Sequence, residues 1–291
     1  NAIADGAKGL LVSGGVLYFE INEAFGAEIK SVKNKNTGRE YIWCGDPAIW
    51  GRTAPVLFPF VGSCRNKKYT FEGNDYAITS HGFARDLDWE MLELRDNQIY
   101  MRLQSNEETK KVFPFDFNFY VTYLLKDDEL IIKQSVENPS DKPIYFFLGG
   151  HESYSLDEDI SNYVLEFEKE EIFDHNDRKN NKIIHLGNGN ILDLSNYLLD
   201  NSGTITLHNI KSRKVWLKHK NGTLIAETEF KDFPNLLLWH PTNSKMVCIE
   251  PWLNLPDNSE DKYKEFKEKE HVITVEPSKT VELIRKIKYF D

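Results

Sequence analysis

Short stretches of alternating β-branched and aromatic residues recur from one end of this chain to the other, each broken by Asn, Gly, Asp or Pro. That rhythm constrains the fold more than any other feature. A two-residue period over short runs matches strands with one face buried, whereas a helix needs a 3.6-residue period sustained over several turns. Three pairs of runs read as hairpins: Leu10–Ser13 with Val16–Ile21 around Gly14-Gly15, Phe119–Leu125 with Leu130–Val136 around Lys126-Asp127-Asp128, and Trp216–Lys220 with Leu224–Glu229 around Asn221-Gly222. Gly and Asn tolerate the positive φ angles that tight hairpin turns demand. The expectation is an all-β protein, a large antiparallel β-sandwich with few short helices. Asn258–Lys269, rich in Glu and Lys, is the best helix candidate but reads equally as a solvated loop, and is taken as surface. No long Pro/Gly/Ser linker or fixed-period repeat divides the chain, so residues 1–291 are expected to form one domain.

Composition narrows the function classes. A formal charge of -10, with no dense block of Lys and Arg, removes the basic face that nucleic acid requires, and a neutral polar small molecule fits better. The 3 cysteines, Cys44, Cys64 and Cys248, are widely spaced, without a CxxC pattern or the density of a disulfide-stapled secreted domain. A reducing cytoplasm is therefore expected. No apolar run approaches the roughly 20 residues of a membrane helix, so no membrane association is expected. No two histidines share a spacing such as HxH or HExxH, so a metal enzyme is disfavoured.

Of the 8 histidines, His81 and His151 sit where exposure is favoured over packing. His81 lies in Ser80-His81-Gly82-Phe83-Ala84-Arg85-Asp86, with a glycine that permits close approach and Arg85 supplying a fork of donors. His151 ends Phe146-Phe147-Leu148-Gly149-Gly150-His151, an aromatic strand running into two glycines, where a rigid element can mount a titratable ring. A lone histidine in such a place is more often structural than catalytic. Glu250, in Cys248-Ile249-Glu250-Pro251-Trp252, closes an apolar strand. Burial against an indole would raise its pKa towards the range of a general base, although it reads equally as the partner of an arginine. His240 could face the same cleft, whereas His175, His185, His208, His219 and His271 read as surface residues.

Taken in order, several motifs resemble one family. Gly26-Ala27-Glu28-Ile29, Thr37-Gly38-Arg39-Glu40-Tyr41-Ile42-Trp43, Gly45-Asp46-Pro47 with Trp50, and Ala54-Pro55-Val56-Leu57-Phe58-Pro59 are similar to segments of aldose 1-epimerases, most of all the LacX-like branch. His81-Gly82-Phe83-Ala84-Arg85, Gly149-Gly150-His151 and Ile249-Glu250-Pro251-Trp252 follow in the family's order. The resemblance runs from about residue 10 to the end and rests on the number and order of the motifs.

It implies a galactose-mutarotase-like supersandwich holding a sugar in an open cleft, and an isomerase that interconverts the anomers of an aldohexose without cofactor or metal. By motif, Glu250 would take the proton from the O1 hydroxyl, His151 would protonate the ring oxygen O5, and His81 would hydrogen-bond near that oxygen. Arg65, in Gly62-Ser63-Cys64-Arg65-Asn66, would bind sugar hydroxyls. Trp239 is the choice for a cleft aromatic, and Arg85 for a further sugar contact. One departure stands out: relatives carry proline after the second histidine, where this chain has Glu152-Ser153-Tyr154. Strand alternation points the Glu152 side chain away from the imidazole, and Tyr154 could supply the aromatic contact. Two alternatives stay open: an epimerase of hexose 6-phosphates, for which Arg52, Arg65 and Arg85 could form an anion clamp, and a carbohydrate-binding or regulatory protein that has lost catalysis. A monomer or weak homodimer is expected.

Overall fold

The computed structural model describes residues 9–14, 17–22, 26–195, 199, 203–258 and 265–291. Twenty strands occur in this order: β1 (Gly9–Gly14), β2 (Leu17–Asn22), β3 (Ile29–Asn34), β4 (Lys68–Phe71), β5 (Asn74–Ala77), β6 (Glu90–Arg95), β7 (Gln98–Gln104), β8 (Asn118–Lys126), β9 (Glu129–Glu137), β10 (Ile144–Phe146), β11 (Glu152–Ser155), β12 (Tyr163–Asp177), β13 (Lys182–Asp193), β14 (Thr204–Leu207), β15 (Lys214–His219), β16 (Leu224–Glu229), β17 (Asn235–Trp239), β18 (Met246–Trp252), β19 (Ile273–Val275) and β20 (Thr280–Tyr289). A short helix, α1 (Glu107–Val112), is capped by Asn106, whose side chain accepts from the Thr109 amide while the Thr109 hydroxyl takes the Asn106 amide.

Thirteen strands form one antiparallel sheet, in the order β11-β18-β17-β14-β12-β15-β16-β20-β9-β8-β7-β6, with β13 on β12. Strand β12 joins its two halves: residues 163–167 pair with β15, while His175 reaches β14. Beyond that junction the sheet turns back on itself. Glu152 on β11 meets Arg285 on β20 at 2.8 Å, and the Tyr154 hydroxyl lies 2.7 Å from that of Thr228 on β16, although seven strand positions separate β11 from β20. The two layers enclose an apolar core including Tyr154, Leu236, Leu238, Val247, Ile249 and Ile287. A separate sheet, β1-β2-β3, closes over another part of it, with Phe19 edge-on to Tyr123.

The expected hairpins are present. β8 and β9 pair along their length around Asp127 at φ 58°, and β15 and β16 pair around Gly222 at φ 100°. β1 and β2 pair as anticipated, with Gly15 and Val16 of their turn outside the described residues. Of the Asn258–Lys269 segment, residues 259–264 also lie outside them. The rest is not all surface, because Phe266, in a single 3₁₀ turn, is fully buried and stacks on Phe60 at 4.6 Å. One aromatic in a charged segment is enough to anchor it in a cluster of rings. No helix among the described residues is long and apolar enough to cross a membrane.

Candidate active site

The register of three strands decides which side chains share a surface. Glu250 lies opposite Leu237, Cys248 opposite Trp239 and Ser153, and Trp239 opposite Thr204. Directly paired residues of antiparallel strands project on the same side, so these side chains form one face, opposite to that of Leu236, Leu238, Val247 and Ile249. His151 is two residues before Ser153 and shares that side. Glu152 takes the opposite side and is buried against Arg285, which also reaches Gln134 at 2.5 Å. Glu152 therefore adds an ion pair to the interior and leaves the imidazole alone. Tyr154 follows Glu152 into the core, so it is not the aromatic beside the histidine. Trp50 is, with its ring stacked on His151 at 5.0 Å and 25°.

Four of the anticipated residues converge. The Nε2 of His151 lies 3.4 Å from Glu250 Oε2, and the His81 ring is 5.3 Å from that of His151. Trp239 stands edge-on to both Trp50 and His151, at 5.1 and 5.9 Å. Trp252, next but one after Glu250, packs edge-on to His81 at 5.6 Å and donates its indole N–H to the Gly150 carbonyl. That approach needs a glycine strand, since a Cβ on Gly149 would lie 2.7 Å from the Trp252 ring.

His81 is held in an unusual backbone conformation, φ 65°, followed by Gly82 at φ 72°. Its amide donates to Gly62 O, and its Nδ1 accepts from the Gly62 amide at 3.1 Å. A ring nitrogen that accepts leaves the proton on the other, so Nε2–H is available as a donor. Gly82 is sterically required, because a Cβ there would lie 2.2 Å from the Phe58 carbonyl oxygen.

Burial sets the protonation of the cluster. Desolvation, helped by the charge of Glu152, pushes the carboxyl of Glu250 well above its ordinary range. Desolvation, aided by the neighbouring His81, pushes His151 well below its ordinary value, and His81, with Arg85 and Arg52 nearby, falls to about 3. Both oxygens of Glu250 and Nδ1 of His151 are buried without a hydrogen-bond partner. Orphaned polar atoms of this kind are costly and mark places built to receive something.

The arginines divide. Arg85 donates to Ser80 O at 2.9 Å and Arg52 to Arg85 O at 3.2 Å, while Arg52 is also paired with Asp86 and lies 3.5 Å from buried Glu28. Both brace the His81 loop. Arg65 lines an adjoining cleft of about 720 Å³ with His175, Arg178, Thr204, Thr206 and Leu237. His175 thus departs from the surface placement expected of it: it is buried, and its Nδ1 accepts from the Thr206 amide at 2.9 Å. His240 is buried too, but its Nδ1 is 2.7 Å from Met246 O, a structural bond. Sequence reasoning gave no role to Trp50 or Cys248. For Cys248 the signal was present, two residues before Glu250 on an alternating strand.

The fold is galactose mutarotase-like, as comparison with known proteins shows. The aldose 1-epimerase family profile matches residues 23–279. Protein LacX (plasmid) of Lactococcus lactis subsp. lactis is 30% identical over 262 residues, 82% of this chain and 86% of LacX. A galactose mutarotase-like protein from Lactobacillus casei superposes with a TM-score of 0.88 at 27% identity, covering 97% of this chain and all of the other (100%). The galactose mutarotase related enzyme from Lactobacillus acidophilus gives 0.85 at 28% identity, over 97% of each chain. This chain belongs to the aldose 1-epimerase family.

Proposed function

We propose that this protein is an aldose 1-epimerase that interconverts the α and β anomers of an unphosphorylated aldohexose, with Glu250 and His151 exchanging protons with the hemiacetal. The observation that carries the reading is the 3.4 Å separation of His151 Nε2 and Glu250 Oε2 on one face of the sheet. O1 and O5 of a pyranose are bonded to the same carbon, so opening the ring needs a proton acceptor and a proton donor side by side.

At rest the pair holds a single proton, on the carboxyl, because burial disfavours both charged forms. Transfer of that proton to the imidazole, favoured once sugar hydroxyls solvate the carboxylate, gives Glu250 as base and His151 as acid. Glu250 removes the O1–H proton as C1–O1 becomes a carbonyl, the C1–O5 bond breaks, and His151 protonates O5. Rotation about C1–C2 and closure with the roles reversed give either anomer. His81 Nε2–H is positioned to donate near O5, and Trp50 and Trp239 offer apolar surface to the C–H face of the ring. An unphosphorylated substrate is favoured because Arg52 pairs with Asp86 and Glu28 and Arg85 donates to the Ser80 carbonyl, so two of the three guanidinium groups that could clamp a phosphate are already engaged.

The test is NMR exchange between anomers of freshly dissolved α-glucose and α-galactose, with the 6-phosphates in parallel. Wild type accelerates exchange of the free sugars and Glu250→Gln does not. A wild-type rate equal to buffer on every sugar refutes the enzyme and leaves the binding protein; acceleration confined to the phosphates moves the substrate class.

A further inference from the structure

Cys248 belongs to the same wall as the acid–base pair, yet proton exchange makes no use of it. One potential ligand atom from each of His151, Cys248 and Glu250 lies within 4.8 Å of the other two, and all three residues are buried. Zinc holds nitrogen and oxygen ligands at roughly 2.0–2.1 Å and thiolate at about 2.3 Å, so two such N/O ligands at a tetrahedral angle stand about 3.4 Å apart. That is the separation of His151 Nε2 and Glu250 Oε2. The donors suit a borderline-soft cation: imidazole, thiol and a carboxylate whose two oxygens have no hydrogen-bond partner. Three protein ligands leave a fourth position for water, as zinc sites open to solvent do.

We propose that His151, Cys248 and Glu250 form a binding site for a borderline divalent cation such as Zn²⁺, and that its occupation shuts off anomer exchange by taking the lone pairs the acid–base pair uses. Cys248 sits on β18 two residues before Glu250, so strand alternation delivers both to the ion without rearranging the backbone. Trp50, stacked over His151, would have to swing aside to admit the ion. Hard cations such as Mg²⁺, which demand oxygen ligands, are not expected to compete.

The inhibition half of this proposal rests on the mutarotase reading; the binding half does not. Cobalt(II) is therefore the first probe, because thiolate ligation gives it an intense near-ultraviolet charge-transfer band whatever the protein catalyses. All measurements use a His208→Ala background, since His208, Glu270 and His271 make a second possible ligand group on the surface. With Cys248 present, a band is expected that saturates at one Co²⁺ per chain, and zinc should displace it. Cys248→Ala and Cys248→Ser, a near-isosteric check against misfolding, should both lose the band. In the exchange assay each should run near the wild-type rate while needing at least about tenfold more zinc for half inhibition, the loss of roughly one good ligand. Absence of the band, its persistence in both variants, or unchanged zinc sensitivity in an active Cys248 variant would overturn the proposal. If the protein proves inactive on every sugar, a Cys248-dependent band still upholds the cation site, and only the catalytic reading falls.

Discussion

Replacing Glu250 by Gln should abolish anomer exchange and, at the same time, flatten part of the protein's stability–pH curve. The carboxyl is fully buried, neither oxygen has a hydrogen-bond partner, and desolvation raises its pKa well above the ordinary value. In the unfolded chain the same group ionises near pH 4.3. Between that pH and its folded pKa, the native protein keeps a proton that the unfolded chain has lost, so raising the pH favours unfolding. Each pH unit in that window costs about 1.4 kcal/mol, and the loss stops once the folded group itself ionises. Glutamine cannot ionise, and whatever its amide costs in the same space does not vary with pH. Urea unfolding of both proteins at half-unit steps from pH 5 upwards should therefore give stability curves that diverge by about 1.4 kcal/mol per unit in favour of Glu250→Gln. The difference between the two curves is the quantity to read, because groups remote from Glu250 bend both alike. Parallel curves would show that Glu250 is solvated or ionised in the native state, and the single-proton account of the acid–base pair would fail with it.

Other outcomes follow from the same arrangement of residues. His81, held down to about 3 by burial, Arg85 and Arg52, binds a proton in the unfolded chain below about pH 6.5 but not in the native state, so acidification destabilises. Wild type should lose about 2 kcal/mol relative to His81→Gln between pH 7 and pH 5, measured by urea unfolding. Gly82→Ala should lose both stability and exchange activity, since its Cβ would meet the Phe58 carbonyl at 2.2 Å in a left-handed conformation; unchanged thermal melting would contradict this. Arg285→Met leaves the buried Glu152 carboxylate unpaired and should cost about 3–5 kcal/mol in chemical denaturation. Trp50→Ala removes the ring stacked on His151 and should lower kcat/KM by about tenfold or more, the scale of a lost aromatic contact, with little change in Tm, as Trp50 is only partly buried in a surface turn.

Much of the fold could be read from the sequence because its cues are local. Asn221-Gly222 and Asp127-Asp128 announce their turns, and alternation along β8, β9 and β16 states which side chains face inward. Alternation even decided the direction of Glu152, one residue after His151, although not its partner: Arg285 is 133 positions away and arrives only because the sheet turns back on itself. The same distance dependence misplaced Tyr154, whose hydroxyl meets Thr228 in the opposite layer, and Phe266, whose ring completes a cluster with Phe60 and Tyr69 from other parts of the chain. A charged local context says nothing about a ring inserted from outside it.

The candidate site divides along the same line. His81, His151 and Glu250 each carried a local mark, a glycine or an apolar strand end, and those marks located them. What makes them a chemical unit is cross-strand register, and that has no local mark. Leu237 opposite Glu250 and Trp239 opposite Cys248 fix the wall on which the pair stands, and that register puts a thiol beside the carboxylate. A search for HxH or HExxH finds ligands that share one element; here they come from a strand entrance and from alternate positions of a different strand, so the spacing between His151 and Cys248 carries no signature. His175 escaped notice for the converse reason. Asp174, Asn176 and Asp177 around it are polar, but β12 at that point passes beside β14, and the Thr206 amide claims its Nδ1. Sequence context reports the company a residue keeps along the chain, whereas its protonation and its partners are set by what lies across the sheet. Substitutions at Trp50 and Trp239, which are chain-distant but meet ring to ring on one surface, should consequently be non-additive in exchange rate, while Gly222 or Asp127 variants combine additively with either of them.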